Sequence, residues 1–174
     1  MTSRTSRAIS LPRRLAAALV FVLAGYAIYQ WSYLPYGCNL VKQSAERTLL
    51  QAERISGSPQ GAVVARGNLE ATLKALQQCP HDLDLLMIAA GAYRQLGRSA
   101  EAIPLYQAAL TLDRRPEIYL NLGQAQAEAG RETDSVPNFG AAVIFDPKLI
   151  TEVPSQLQQR VQEFAQLQTK SPAI

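Results

Sequence analysis

The sequence predicts an all-α protein: antiparallel helix hairpins stacked behind one N-terminal transmembrane helix. Three observations carry that prediction. Residues 15–34, LAAALVFVLAGYAIYQWSYL, form an apolar run without a charge. Residues 95–113, QLGRSAEAIPLYQAALTLD, are written a second time at 128–146 as EAGRETDSVPNFGAAVIFD. Elsewhere apolar residues return at helical spacing, and no stretch reads as a strand.

The N-terminus comes first. Residues 1–14 hold Arg4, Arg7, Arg13 and Arg14 and no acid. The net charge of the 174-residue chain is +3, so the remainder carries −1, the difference between +3 overall and +4 in this arm. A nucleic-acid-binding body needs a basic face; here the basic charge sits in a short arm, which argues against nucleic acid as a partner. The apolar run is long enough, at about 1.5 Å per residue, to span about 30 Å of hydrocarbon. Pro35 closes it, and Trp31, Tyr33 and Tyr36 suit the far interface. Arginines before the span place 1–14 in the cytoplasm and the body on the exported side of an inner (plasma) membrane. Other readings compete with an uncut anchor: a signal peptide cut after Ala27, a lipid-modified Cys38 in LPYGC, a twin-arginine signal at Arg13-Arg14, or an organelle transit peptide. Tyr26, Tyr29, Tyr33 and Tyr36 fall three, four and three apart, so a continuing helix puts them on one face. That stripe is a candidate contact with helices of a membrane partner.

Beyond the span, residues 39–61 read as a membrane-proximal helix, 39–55, with Leu40, Ala45, Leu49 and Ala52 in phase, followed by the loop SGSPQG at 56–61. Residues 62–78 give a further helix with Val64, Leu69, Leu73 and Leu76, stopped by Pro80. Residues 82–96 and 99–112 form a pair around Gly97, and 116–129 and 134–145 another around Gly130. Residues 148–174 supply a last helix and a tail. Pro154 opens that helix, and Leu157, Val161, Phe164 and Leu167 share a face.

The duplicated stretch matches Gly97 with Gly130, Pro104 with Pro137, Tyr106 with Phe139, Ala109 with Ala142 and Asp113 with Asp146. A period of about 33–34 residues, built from two helices and a glycine turn, resembles the tetratricopeptide repeat. The resemblance is clearest for 83–115 and 116–147 and extends in degenerate form over 62–147. It rests on Leu86, Ala89, Ala90, Tyr93, Gly97, Ala102, Tyr106 and Ala109 in one unit. In the next it rests on Tyr119, Leu122, Gly123, Gly130, Ser135, Phe139, Ala142 and Pro147. Small residues let the helices of a hairpin approach, and large rings fill the gap to the neighbour. Gln126 departs from the family pattern where an aromatic is usual, and Arg114 where proline is.

The resemblance implies a right-handed superhelix whose inner wall, made by the first helix of each pair, holds a partner protein or peptide. The matching positions are Asp84, Met87, Ile88, Gly91, Arg94 and Gln95, then Glu117, Leu120, Asn121, Gln124 and Glu128. They do not resemble the Lys/Arg-rich clamp of relatives that hold a terminal carboxylate.

Catalytic chemistry finds little to stand on. Cys79 and the lone histidine, His81, would have to serve as nucleophile and base from neighbouring places in CPHDLD, with no third group or oxyanion motif. Two distant cysteines and one histidine match no zinc spacing, and no phosphate loop occurs. The expectation is a non-enzymatic scaffold without cofactor, metal or small-molecule substrate, an accessory or assembly subunit of a bacterial envelope complex. The alternatives are a secreted or lipid-anchored peptide-binding protein and, last, an enzyme using Cys79 and His81. In an exported body Cys38 and Cys79 face an oxidising compartment, and a bond between them is an open alternative to two buried thiols. It would close a loop of about 40 residues and contribute roughly 4 kcal/mol in the loop-entropy account.

Overall fold

The computed structural model describes residues 11–54 and 58–170, and the side chains of all of these except 11–14, 17, 32–38 and 52–53. Every regular element among them is helical. The order is α1 (Leu11–Ile28), a π-helical turn (Tyr29–Tyr33), α2 (Leu34–Arg54), α3 (Pro59–Gln78), α4 (Leu83–Gln95), α5 (Ser99–Leu112), α6 (Pro116–Glu128), α7 (Glu132–Phe145), a 3-10 turn (Pro147–Glu152) and α8 (Ser155–Lys170). Each helix from α2 to α8 packs on the next, and α2 also touches α4 directly.

Local chemistry explains the boundaries. Asp82 caps α4, its side chain accepting from Leu85 N at 3.1 Å. Gly97 and Gly130 take φ of +69° and +76°, the left-handed conformation that glycine adopts at little cost. Around each, the chain closes the same pair of bonds. Gly97 N donates to Arg94 O and Arg98 N to Tyr93 O; Gly130 N donates to Ala127 O and Arg131 N to Gln126 O. These are Schellman closures, which satisfy the last carbonyls of α4 and α6. The following helix then begins each time with an arginine that pairs three residues on, Arg98 with Glu101 and Arg131 with Asp134.

The core is continuous from hairpin to hairpin. Leu69, Leu76, Leu85, Leu86, Ala89 and Ile118 join α3, α4 and α6. Ala90, Ala102, Tyr106, Leu122 and Ala125 fill the space between α4, α5 and α6. Phe139, Val153, Leu157 and Val161 close the far end under α8. Tyr106 and Phe139 are buried. A Cβ on Gly123 would lie 2.7 Å from the Phe139 ring, and one on Gly140 would collide with the Phe164 ring.

Four expectations need correction. First, the transmembrane span expected over 15–34 is not supported: among the described residues no helix is long and apolar enough to cross a membrane. The apolar α-helical stretch ends at Ile28, where the π-helical turn begins. Pro35 does not close the segment either, because helix continues through it as the second residue of α2. Second, the loop expected at 56–61 ends earlier. Ser58 caps α3 by accepting from Gly61 N at 3.0 Å, with Pro59 in the first helical position. Third, the expected membrane-proximal helix is not a separate element. As α2 it forms a hairpin with α3, tied by Asn68 Nδ2 donating to Ala45 O at 3.0 Å in a buried setting. Leu40 is exposed rather than buried; Ala52 lies outside the described side chains. Fourth, Leu167 is exposed, so the apolar face of α8 stops at Phe164. The expected arm, 1–14, and tail fall largely outside the described residues.

Gln126 has a physical reason. It is buried and accepts from Asn138 Nδ2 at 2.8 Å. The corresponding pair in the preceding unit is Tyr93 and Leu105. An aromatic and an aliphatic side chain are thus exchanged together for two amides that satisfy each other.

Phe139→Ala should cost about 3–5 kcal/mol in urea unfolding, and Gly123→Ala about 1–3 kcal/mol through crowding of the same ring. Asn138→Leu should cost about 1–3 kcal/mol by leaving a buried amide unpaired. Adding Gln126→Tyr should recover most of that loss, whereas two additive losses would refute the coupling.

Candidate functional site

α2, α4 and α6 line one side of the body, and three adjoining pockets run across it. The first, about 360 Å³, lies between Glu46, Leu49 and Leu50 of α2 and Asp84, Met87 and Ile88 of α4. The second, about 350 Å³, is bounded by Leu49, Gly91, Arg94, Gln95, Tyr106, Asn121 and Glu128. The third, about 400 Å³, joins Arg94, Gln124 and Glu128 to Glu152, Pro154 and Gln156 beyond the 3-10 turn. Leu49 of α2 lies over Gly91 of α4, 3.6 Å from where a Cβ would stand.

Nine of the eleven positions that the resemblance assigned to the inner wall therefore meet along one groove. Two do not. Leu120 is buried in the core with Phe139 and Leu157, because it points to the α7–α8 side of α6. Glu117 is exposed in the first turn of α6 and borders none of these pockets. What sequence reasoning missed is the α2 contribution, Glu46, Leu49 and Leu50, and the far rim, Glu152, Pro154 and Gln156. No repeat signature marks α2; the signal available was the phase of Leu49 with Ala45.

The centre of the groove is a charged cluster. Arg94 binds Glu128 with two nitrogens, Nε at 3.0 Å among them, and its Nη1 donates to Asn121 Oδ1 at 3.3 Å. Ser99 Oγ donates to the same carboxylate at 2.6 Å. Burial works against the Arg94 charge, but Glu128, together with Tyr106, holds its pKa above the ordinary arginine value. Burial likewise works against the Glu128 carboxylate, and the bonds from Arg94 and Ser99 bring its pKa below the usual one. Tyr106 is shifted up, chiefly by burial. This fork–fork pair spans two repeats, from the end of α4 to the end of α6. A second bridge fixes α2: Lys42 Nζ lies 2.7 Å from Asp84 and 3.2 Å from Asp82, and the Asp84 bond is the largest cause raising its pKa. Gln95 Oε1 is buried in the second pocket with no hydrogen-bond partner among the described residues.

The remaining candidate residues separate from this groove. Cys79 is disulfide-bonded; Cys38, the other cysteine of the sequence, lies outside the described side chains. A disulfide sulfur is no thiolate, so the weighed pairing of Cys79 as nucleophile with His81, itself exposed, is not formed. No group of metal-ligating residues occurs among the described ones. In the tyrosine stripe, Tyr26 Oη accepts from Gln30 Nε2 at 2.7 Å, and Tyr26 and Tyr29 are exposed. Tyr33 and Tyr36 lie outside the described side chains.

Compared with family sequence profiles, residues 83–116 match the tetratricopeptide repeat. The match covers α4, α5 and the first residue of α6. Compared with curated proteins, the chain finds no match.

Because the folded-state pKa of Glu128 is lowered, its stabilising contribution is present above the ordinary glutamate range. It is lost as pH falls through the lowered value, below about pH 4.3. Urea midpoints measured between neutral and acidic pH should therefore fall more steeply for the wild type than for Glu128→Gln. Parallel curves would show that the pair contributes nothing to acid sensitivity.

Proposed function

We propose that this chain is a non-enzymatic scaffold that binds a segment of another protein along the groove between α2, α4 and α6. The single observation that carries the reading is the gathering of nine inner-wall positions into adjoining pockets on a tetratricopeptide-type body. Such repeats generally bind proteins or peptides, and stacked hairpins offer a preformed concave surface for the purpose. Asn121 and Gln124 supply amides that suit a peptide backbone, and Met87 adapts to apolar side chains.

The chain is further proposed to work at a membrane, as an accessory or assembly subunit of an envelope complex, with its body in an extracytoplasmic compartment. Two features support this. Leu15, Leu19, Val20, Phe21, Val22 and Leu23 of α1 are all more than half exposed, and a helix apolar on every side calls for an apolar surrounding. The disulfide at Cys79 fits an oxidising compartment. α1 then attaches the body by burying these side chains in the apolar part of the bilayer.

Flotation with lipid vesicles tests the attachment. The full chain should float and a chain lacking residues 1–34 should not; a full chain left in the soluble fraction refutes it. Photo-crosslinkers placed at Asn121 and Gln124 should trap a protein partner in solubilised membranes, and one at Glu70, which borders none of the groove pockets, should not. Equal adducts from all three positions would sink the groove reading.

A further inference from the structure

The charges of the groove are unevenly committed. Its pockets are bordered by four carboxylates, Glu46, Asp84, Glu128 and Glu152, and by one cation, Arg94. The Arg94 charge is already matched: its fork closes on Glu128, and its third nitrogen donates to Asn121. Lys42, the nearest other cation, is held by Asp82 and Asp84. Glu46 and Glu152 are exposed and enter no ion pair or side-chain hydrogen bond among the described residues. The groove thus carries an excess of negative charge, because its cations are already paired with carboxylates.

We propose that the occupant is a basic, extended segment of a partner protein, carrying lysine or arginine on either side of apolar residues. One cation pairs with Glu46, beside which Leu49, Leu50, Met87 and Ile88 accept an apolar side chain. A second cation pairs with Glu152 at the far rim. Helix axes 8–10 Å apart make the path from α2 across α4 and α6 to the 3-10 turn about 20–30 Å long, the reach of about six to nine extended residues. An acidic or carboxylate-terminated segment is disfavoured twice, by repulsion from the unpaired glutamates and by the existing pairing of Arg94 with Glu128.

This inference rests on the scaffold reading and adds the chemistry of the partner. The test is fluorescence anisotropy of the full chain in detergent with three labelled peptides of equal length: alternating lysine–valine, alternating glutamate–valine, and lysine–serine. The lysine–valine peptide should bind, more weakly as salt rises. The lysine–serine peptide should bind less well, because the pocket at Met87 stays empty. Glu46→Gln with Glu152→Gln should weaken the lysine–valine complex about tenfold, equivalent to about 1.4 kcal/mol. Glu70→Gln with Glu163→Gln removes the same charge away from the groove and should leave it unchanged. Equal or tighter binding of glutamate–valine, no binding of lysine–valine, or equal losses in both double variants overturns the proposal. If groove crosslinks at Asn121 and Gln124 persist while the peptide preference fails, the basic-partner inference falls and the scaffold reading stands. If both fail, both fall.

Discussion

The separation between helices in this body is set by rings lying on glycines. Phe139 occupies the space a Cβ of Gly123 would need, and Phe164 does the same at Gly140. A ring seated on bare backbone draws α6, α7 and α8 together and excludes water from Leu120, Val136, Leu157 and Val161. The groove depends on this spacing. Arg94 and Glu128 sit at the ends of α4 and α6, and the two-pronged bond between them joins those ends with fixed geometry. Tyr106 serves both layers: its ring fills the core between hairpins, and the residue also borders the pocket that holds Arg94 and Glu128. Packing and recognition are therefore not separable around this residue.

Much of this was legible in the sequence, for reasons that can be assigned. A glycine forced to positive φ and a ring that needs a small partner restrict the residue types allowed, so Gly97, Gly130, Tyr106 and Phe139 stand out when the two units are aligned. The same alignment held the exchange of Tyr93 and Leu105 for Gln126 and Asn138; reading Gln126 alone as a departure concealed it, because an amide in a core makes sense only with its partner. The inner wall was approached through family position, which succeeds where the side chain faces the groove. It fails at Leu120, where the core of the terminal hairpin claims the residue.

Other features left no residue-level signal. α2 carries no repeat signature, since its place is kept by Ala45, Leu49, Lys42 and the carbonyl that receives Asn68. None of these is a type that a repeat pattern demands. The π-helical turn at Tyr29–Tyr33 contains no glycine or proline to announce it, and hydropathy counts only the length of an apolar run, not where its helix changes pitch. The orphan acceptor at Gln95 is likewise a property of packing: it exists because the groove walls exclude water from one oxygen of a glutamine that is otherwise ordinary.

The helical path from α1 through the π turn into α2 is unbroken over residues 11–54, and α2 is itself the first wall of the groove. No slack segment intervenes between whatever grips α1 and the surface that receives a ligand. The molecule is then a handle forged in one piece with its jaw. α2 in turn lays Leu49 and Glu46 beside α4, so the N-terminal helix and the wall of the first pocket belong to one continuous helical path rather than to two parts joined by a tether.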